Sequence, residues 1–210
     1  MTGTVGVWWA TIDPVCAGPV PCSSDERRRA ARFRDAQSAQ RWLAGRAVLR
    51  RVLGGVIELD PAAVVLAEEA AGKLFLPDHP SIHTSLSRSA DLVVVAVGDR
   101  PVGVDVEVDR RLVRPERLAQ RLIGDPETRQ RWAASPEPER TLELLRRWTR
   151  VEALLKATGE GLGGGIADAT GRLADDGYEV LDLDLGPLVS AAVAARGPDW
   201  VVDGPHSLPG

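Results

Sequence analysis

Between residues 102 and 109 the chain alternates strictly, with Val102, Val104, Val106 and Val108 on one face and Gly103, Asp105, Glu107 and Asp109 on the other. That period of two is a strand. The valine face is an ordinary core face; the second sets carboxylates side by side, which an apolar strand does not do without a reason. Near the start, VGVWWATID reads as another strand, followed by a loop through Pro21. From Asp25 to Leu53 the spacing turns helical and comprises two helices, with Ser24 or Asp25 as N-cap and Gly54–Gly55 as the stop. AVVLAEEAAGKLFLPD predicts a strand, a turn at Gly72 and an extended piece ended by Pro77. SIHTSLSRSADLVVVAVGDRPVGVDVEVD predicts two strands joined by a tight turn at GDRP. Beyond Arg110 the pattern becomes helical, first in PERLAQRLI and then in a long helix within 137–158 closed by Gly159. The last stretch reads as two or three strands with turns at Gly186–Pro187 and Gly197–Pro198.

This succession predicts an α/β (α+β) fold. Its 210 residues are enough for one large domain or two small ones. A composition shift near residue 100 divides it into two α/β halves, 1–100 and 101–210. A hydrophobic fraction of 44% with 27% charged residues is that of a globular protein. A net charge of −4 argues against a general nucleic-acid binder. No apolar run approaches the length that spans a bilayer, and the first residues lack the basic start of a secretory signal, so a cytoplasmic location is expected. Cys16 and Cys22 read as two reduced loop thiols, with no Cys/His spacing for zinc.

The basic residues are unevenly chosen. Only two of the 26 are lysine, Lys73 and Lys156, in a chain that otherwise uses arginine. Nine arginines lie between Arg27 and Arg51, with Asp35 as the sole acid among them. Solvated helix faces explain such a run; a positive wall for a polyanion such as a phosphorylated nucleotide explains it too. An RNA-binding surface is the third reading, disfavoured by the acidic balance and the lack of stacking aromatics among those arginines. GEGLGG at 159–164 has the form G-x-G-x-x-G but sits after a helix and before an expected strand, the reverse of a dinucleotide site. No G-x-S-x-G elbow exists, and His79, His83 and His206 are placed for no hydrolase base.

In the long helix, Trp148, Glu152 and Lys156 recur every four residues and share one face, while Val151, Leu154 and Leu155 pack inward. An i,i+4 Glu–Lys pair alone stabilises a helix by only a few tenths of a kcal/mol, roughly 0.3. Joined to the strand, however, this face yields three carboxylates, Asp105, Glu107 and Glu152. Without a cation they repel one another; an all-oxygen set suits Mg²⁺, which keeps coordination open to phosphate. Lys156, one turn on from Glu152, would face the same phosphate.

GVDVE followed some forty residues later by W-x-x-x-E-A-x-x-K resembles the 4′-phosphopantetheinyl transferases, specifically their larger surfactin-type (Sfp-type) class. RWLAGRAVLRRVL, GKLFLPD and TSLSRSADLVVVAV extend the resemblance, which runs from about residue 24 to 166. It implies two similar α/β halves related by a pseudo-twofold, with coenzyme A in the cleft between them. It implies transfer of the 4′-phosphopantetheine arm to a serine of an acyl or peptidyl carrier protein, releasing adenosine 3′,5′-bisphosphate, by a monomer with no nucleic-acid or membrane partner. On that pattern Asp105, Glu107 and Glu152 hold Mg²⁺, Glu152 is the candidate base and Lys156 offsets charge on the leaving oxygen. Arg41, Lys73, Arg88 and Ser87 fall at the coenzyme A side, with Arg29 beside them. The sequence departs from the family twice. Val151 stands where a basic residue precedes the helix glutamate, and Arg88 stands where a histidine separates two serines. If the missing charge at 151 contacts coenzyme A, affinity falls; if it faces solvent, nothing follows. The alternative function is a weakened relative that binds coenzyme A or a carrier without turnover.

Overall fold

The computed structural model describes residues 3–12, 21–110, 112–160 and 177–208. Cys16 and residues 161–164 of the glycine-rich stretch lie outside them. Four layers stack in the order helix, sheet, sheet, helix. The first sheet has six strands in the order β2-β3-β4-β5-β1-β9: β1 (Gly3–Thr11), β2 (Ala67–Glu68), β3 (Leu74–Phe75), β4 (His83–Ser89), β5 (Leu92–Gly98) and β9 (Trp200–Ser207). The second has three, β6 (Val102–Val108), β8 (Val189–Arg196) and β7 (Tyr178–Leu183), in the order β6-β8-β7. The structure is thus mixed α/β with two sheets. All pairings within them are antiparallel except β1 with β9, so the last strand of the chain returns beside the first.

β5 shows why the layers stack. Its run LVVVAV is buried on both faces, as a strand covered on two sides requires. Val93, Val95 and Val97 meet Val48, Leu49, Val52 and Leu53 of the long helix α2 (Ala36–Ile57), whereas Leu92, Val94 and Ala96 meet the valines of β6 and Val193 of β8. The second sheet's outer face carries α5 (Glu139–Thr158), with α3 (Pro115–Leu122) and α4 (Pro126–Ala134) packed around it. Small residues set that contact. Ala153 and Ala157 of α5 lie on Ala192 and Ala194 of β8, and a Cβ at Gly103 of β6 would collide with the Ala153 carbonyl and the Ala157 amide. Helix and strand backbones therefore approach more closely than side chains ordinarily allow.

Two helices do occupy the arginine-rich segment, α1 (Ser24–Ala30) and α2, but their ends differ from expectation. Ser23 is the N-cap of α1, in a reciprocal capping box with Glu26. α2 continues through Gly54–Gly55 to Ile57, ending at Glu58 in the left-handed region. The 81–109 segment forms three strands, not two, because a tight turn reverses the chain at Ala90, whose φ is +50°. A glycine or asparagine would have announced such a turn. α4 was not anticipated. Among the described residues, no helix is long and apolar enough to cross a membrane.

Candidate active site

A cleft of about 610 Å³ runs between the two sheets' helices, lined on one side by Arg29, Trp42, Arg46 and Glu68 and on the other by Trp148, Glu152 and Lys156. Lys73, Ser87, Arg88, Asp105 and Glu107 also line it. Of the residues singled out from sequence only Arg41 is not on its wall; its Nε donates to Asp91 Oδ1 at 2.7 Å instead.

The carboxylate strand is held by a row of hydroxyls. β6 is the edge of its sheet, so alternate N–H groups lack a strand partner. Ser85, Ser87 and Ser89 of β4, on the face turned toward the second sheet, accept from the N–H groups of Val104 (3.0 Å), Val106 (3.3 Å) and Val108 (3.0 Å). The same hydroxyls orient the acids. Ser87 donates to Asp105 Oδ1 at 2.7 Å and Ser89 to Glu107 Oε2 at 2.9 Å. The sequence reading placed Ser87 at coenzyme A and passed over Ser85 and Ser89. Their signal was present: three serines at period two on a strand whose neighbour is entirely apolar.

Lys156 reaches across from α5 and donates to Asp105 Oδ1 (2.7 Å), Ser87 Oγ (3.0 Å) and the Val104 carbonyl (3.2 Å). All three ammonium hydrogens are engaged. Asp105 is only 5% exposed. Burial pushes its carboxyl above the ordinary value, and Lys156 and Ser87 counteract this. Glu152 is raised likewise, by burial first and then by the neighbouring Asp105 charge, with Lys156 opposing. Asp105 Oδ2 and Glu152 Oε1 are buried with no hydrogen-bond partner. Among the described residues, no three His, Cys, Asp or Glu side chains are drawn into a ready-made metal cage. The donor chemistry nonetheless fits a hard divalent cation: two orphaned carboxylate oxygens share a corner with a third acid, and each lacks the positive partner that burial demands.

The opposite wall is cationic. Trp42 lies under two guanidinium groups, Arg29 at 5.3 Å and Arg46 at 5.2 Å from its ring. Arg29 also donates to Glu68 at 2.6 Å. Arg46, 8% exposed, pairs with Glu26 at 3.3 Å and Glu68 at 3.6 Å. Arg88 enters from β4, its stem packed over Gly45 of α2, and burial lowers its pKa with Arg46 adding like-charge repulsion. No carboxylate partner for Arg88 occurs among the described residues, which leaves a guanidinium available to an anion. Trp42 was not singled out from sequence and Arg46 only as one of the arginine run, although Trp42, Arg46 and Arg50 form one i,i+4 stripe of α2. The arginine run is not a single basic face. Arg46 and Arg50 are buried on Glu26, with Arg50 Nε at 2.8 Å, while Arg27, Arg28 and Arg32 face solvent.

Val151 resolves the open question about the missing charge. It is 2% exposed and packs with Leu122, Ile123 and Trp132 in the α3–α4–α5 core, so it faces neither the cleft nor solvent.

Comparison with known proteins agrees with this geometry. Residues 101–192, which carry Asp105, Glu107, Glu152 and Lys156, match the model of the 4′-phosphopantetheinyl transferase superfamily. A 4′-phosphopantetheinyl transferase from Bacillus pumilus, psf-1, is 33% identical over 85% of this chain and 81% of its own. HetI, a 4′-phosphopantetheinyl transferase of Nostoc, is 36% identical over 67% of this chain and 60% of its own. The 4′-phosphopantetheinyl transferase Sfp of Bacillus subtilis is 26% identical over 86% and 85% respectively.

Proposed function

The chain belongs to the 4′-phosphopantetheinyl transferase family, and on that premise we propose that the corner formed by Asp105, Glu107, Glu152 and Lys156 is its catalytic centre. The observation that carries this reading is the pair of buried, unpartnered carboxylate oxygens on the cleft wall beside Lys156. The substrates are coenzyme A, its nucleotide end toward Arg29, Trp42, Arg46 and Arg88, and an acyl or peptidyl carrier protein presenting a serine at the carboxylate end. Two similar halves related by a pseudo-twofold, with a soft division near residue 100, account for the long helix that backs each sheet. Both cleft walls come from one chain, which suits a monomer.

Asp105 and Glu152, with Glu107 as the third oxygen donor, would hold Mg²⁺. When bound, such an ion supplies charge neutralisation and a template for phosphoryl transfer. The protein's own groups supply the rest. Glu152, raised above the ordinary carboxylate value, accepts the proton of the carrier serine as its oxygen bonds to phosphorus. The phosphoanhydride bond to the adenosine bisphosphate part breaks at the same centre, and the positive charge of Lys156, held in place by its three hydrogen bonds, offsets the charge developing on the departing oxygen. Ser87 and Ser89 hold Asp105 and Glu107 at fixed angles, so that little reorganisation accompanies the step.

Mixing the protein with coenzyme A, Mg²⁺ and several apo carrier domains tests the assignment. One phosphopantetheine added to a carrier, seen by intact mass and abolished by chelator, is the expected result. No mass gain on any carrier would overturn it. The alternative of a weakened binding module loses one of its two motives at Val151, whose side chain is core and not ligand wall; Arg88, on the cleft wall, is the other.

A further inference from the structure

Lys73 lines the cleft, yet its charge is not turned to a ligand. Its Nζ donates to the carbonyl oxygens of Lys156 (2.7 Å) and Ala157 (2.8 Å), eighty-three and eighty-four residues away in the chain. Those carbonyls belong to the last turn of α5, where a helix leaves four C=O groups without an internal partner. The helix ends at Gly159 with φ +78°, whose N–H caps the Leu155 carbonyl. The Lys73 stem packs against this cap: a Cβ at Gly159 would lie at ordinary contact distance, 3.6 Å, from Lys73 Cδ. A cation at this end also opposes the negative pole of the helix. Burial lowers the Lys73 pKa and Glu69 raises it, so the partly buried ammonium is compensated by carbonyls and one carboxylate.

We propose that Lys73 is a positioning residue that clamps the C-terminal turn of α5 to the Gly72–Lys73 turn, fixing Lys156 against Asp105 and Ser87, and that it does not grip the 3′-phosphate of coenzyme A. This rests on the transferase reading above. The turn that carries Lys73 is itself braced: the Glu69 N–H donates to the Lys73 carbonyl and the Gly72 N–H to the Glu69 carbonyl, both at 2.8 Å. The clamp therefore joins a rigid hairpin between β2 and β3 to the helix that bears both Glu152 and Lys156.

Two measurements on the full chain separate this role from a ligand contact. Amide hydrogen exchange on the ligand-free protein reads the clamp without any turnover. In Lys73→Met the amides of the last turn of α5 should exchange at least tenfold faster than in wild type, while those of α2 stay unchanged. Unchanged exchange in that turn overturns the proposal, whether or not the protein transfers anything. Steady-state transfer from coenzyme A and from 3′-dephospho-coenzyme A reads the second half. Lys73→Met should lower kcat about tenfold for both donors, keep the wild-type ratio of kcat/KM between them, and be partly rescued by Lys73→Arg. Collapse of that ratio toward one in Lys73→Met would assign the ammonium to the 3′-phosphate and sink the clamp. Absence of transfer by wild type itself would instead refute the transferase reading, leaving the exchange result standing alone.

Discussion

Two buried groups of charge flank the same cleft and obey opposite rules. Around Glu26 the charges balance. Its Oε2 receives Arg50 at 2.8 Å, its Oε1 lies 3.3 Å from Arg46, and Arg50 spends further N–H groups on the carbonyls of Val64 (2.6 Å) and Pro61 (3.3 Å). Around Asp105 they do not. Asp105, Glu107 and Glu152 share one deep cation, Lys156, while Arg110 touches Glu107 from an exposed position at 3.4 Å. The first group sets two arginines against two carboxylates, Glu26 and Glu68, the charge balance that makes buried ions tolerable, although Glu26 Oε1 and Arg46 Nε, 3.3 Å apart, form no hydrogen bond. The second retains surplus negative charge and two carboxylate oxygens with nothing to accept from. A fold keeps such an imbalance where something else completes it. Burial and unpartnered polar atoms occur in both groups; the surplus of like charge is what sets the second apart.

The largest expected effect lies in the second group. Glu152→Gln should reduce kcat about 10⁴-fold, equivalent to about 5.5 kcal/mol of transition-state stabilisation. Its stability should not fall. Burial and the neighbouring acid raise the Glu152 pKa, which means that the folded state disfavours its charge, and a neutral isostere removes that penalty. Kinetics and a thermal melt on one preparation check both halves. Loss of activity accompanied by a melting midpoint several degrees lower would make Glu152 a structural member of the core.

The charge-balanced group predicts the inverse. Glu26→Gln strands Arg46 and Arg50 as buried cations with no carboxylate between them, and should destabilise the fold by about 3–5 kcal/mol. Transfer per folded molecule should change far less than in Glu152→Gln. Chemical denaturation measures the first quantity and active-site-normalised kinetics the second. A stability loss below about 1 kcal/mol would mean that the two clusters do not differ as described.

Much of this contrast was legible before any coordinates. The alternation of β6 put Asp105 and Glu107 on one face, and the i,i+4 spacing of α5 put Glu152 and Lys156 on another; that the two faces meet rested on the family resemblance, and like-charge repulsion then called for a cation between them. Glu26 was invisible for a physical reason. Its neighbours in sequence are Arg27 and Arg28, which face solvent, and Arg29, which turns to the cleft, whereas its partners Arg46 and Arg50 lie twenty and more residues away on another helix. A local reading sees a charge run and cannot see which charges turn inward. The serine row was missed because its bonds run between sheets, and the turn at Ala90 because an alanine there gives no signal of a positive φ. Lys73 was noticed for its rarity, but its bonds to the Lys156 and Ala157 carbonyls are a tertiary fact that no spacing encodes.

The smallest effect uses a reporter already in place. Cys22 lies at the lip of the Glu26 group, its thiol donating to the Leu43 carbonyl at 3.4 Å. Burial, and then the Glu26 charge, push its pKa from 9.0 up to about 11, with Arg50, Arg27 and Arg46 pulling the other way. At pH 8 the thiolate fraction is then about one in a thousand instead of about one in ten, so iodoacetamide should modify Cys22 about a hundredfold more slowly than an open thiol. In Glu26→Gln one upward contribution disappears while the three arginines remain, so the thiolate fraction rises and labelling quickens. The rate is followed on the Cys22 peptide by mass spectrometry, which keeps Cys16 out of the signal, at a temperature where circular dichroism shows the variant folded. Equal rates in wild type and variant would show that the Glu26 charge is not felt at the lip, and the compensation within that group would then be less complete than its distances imply.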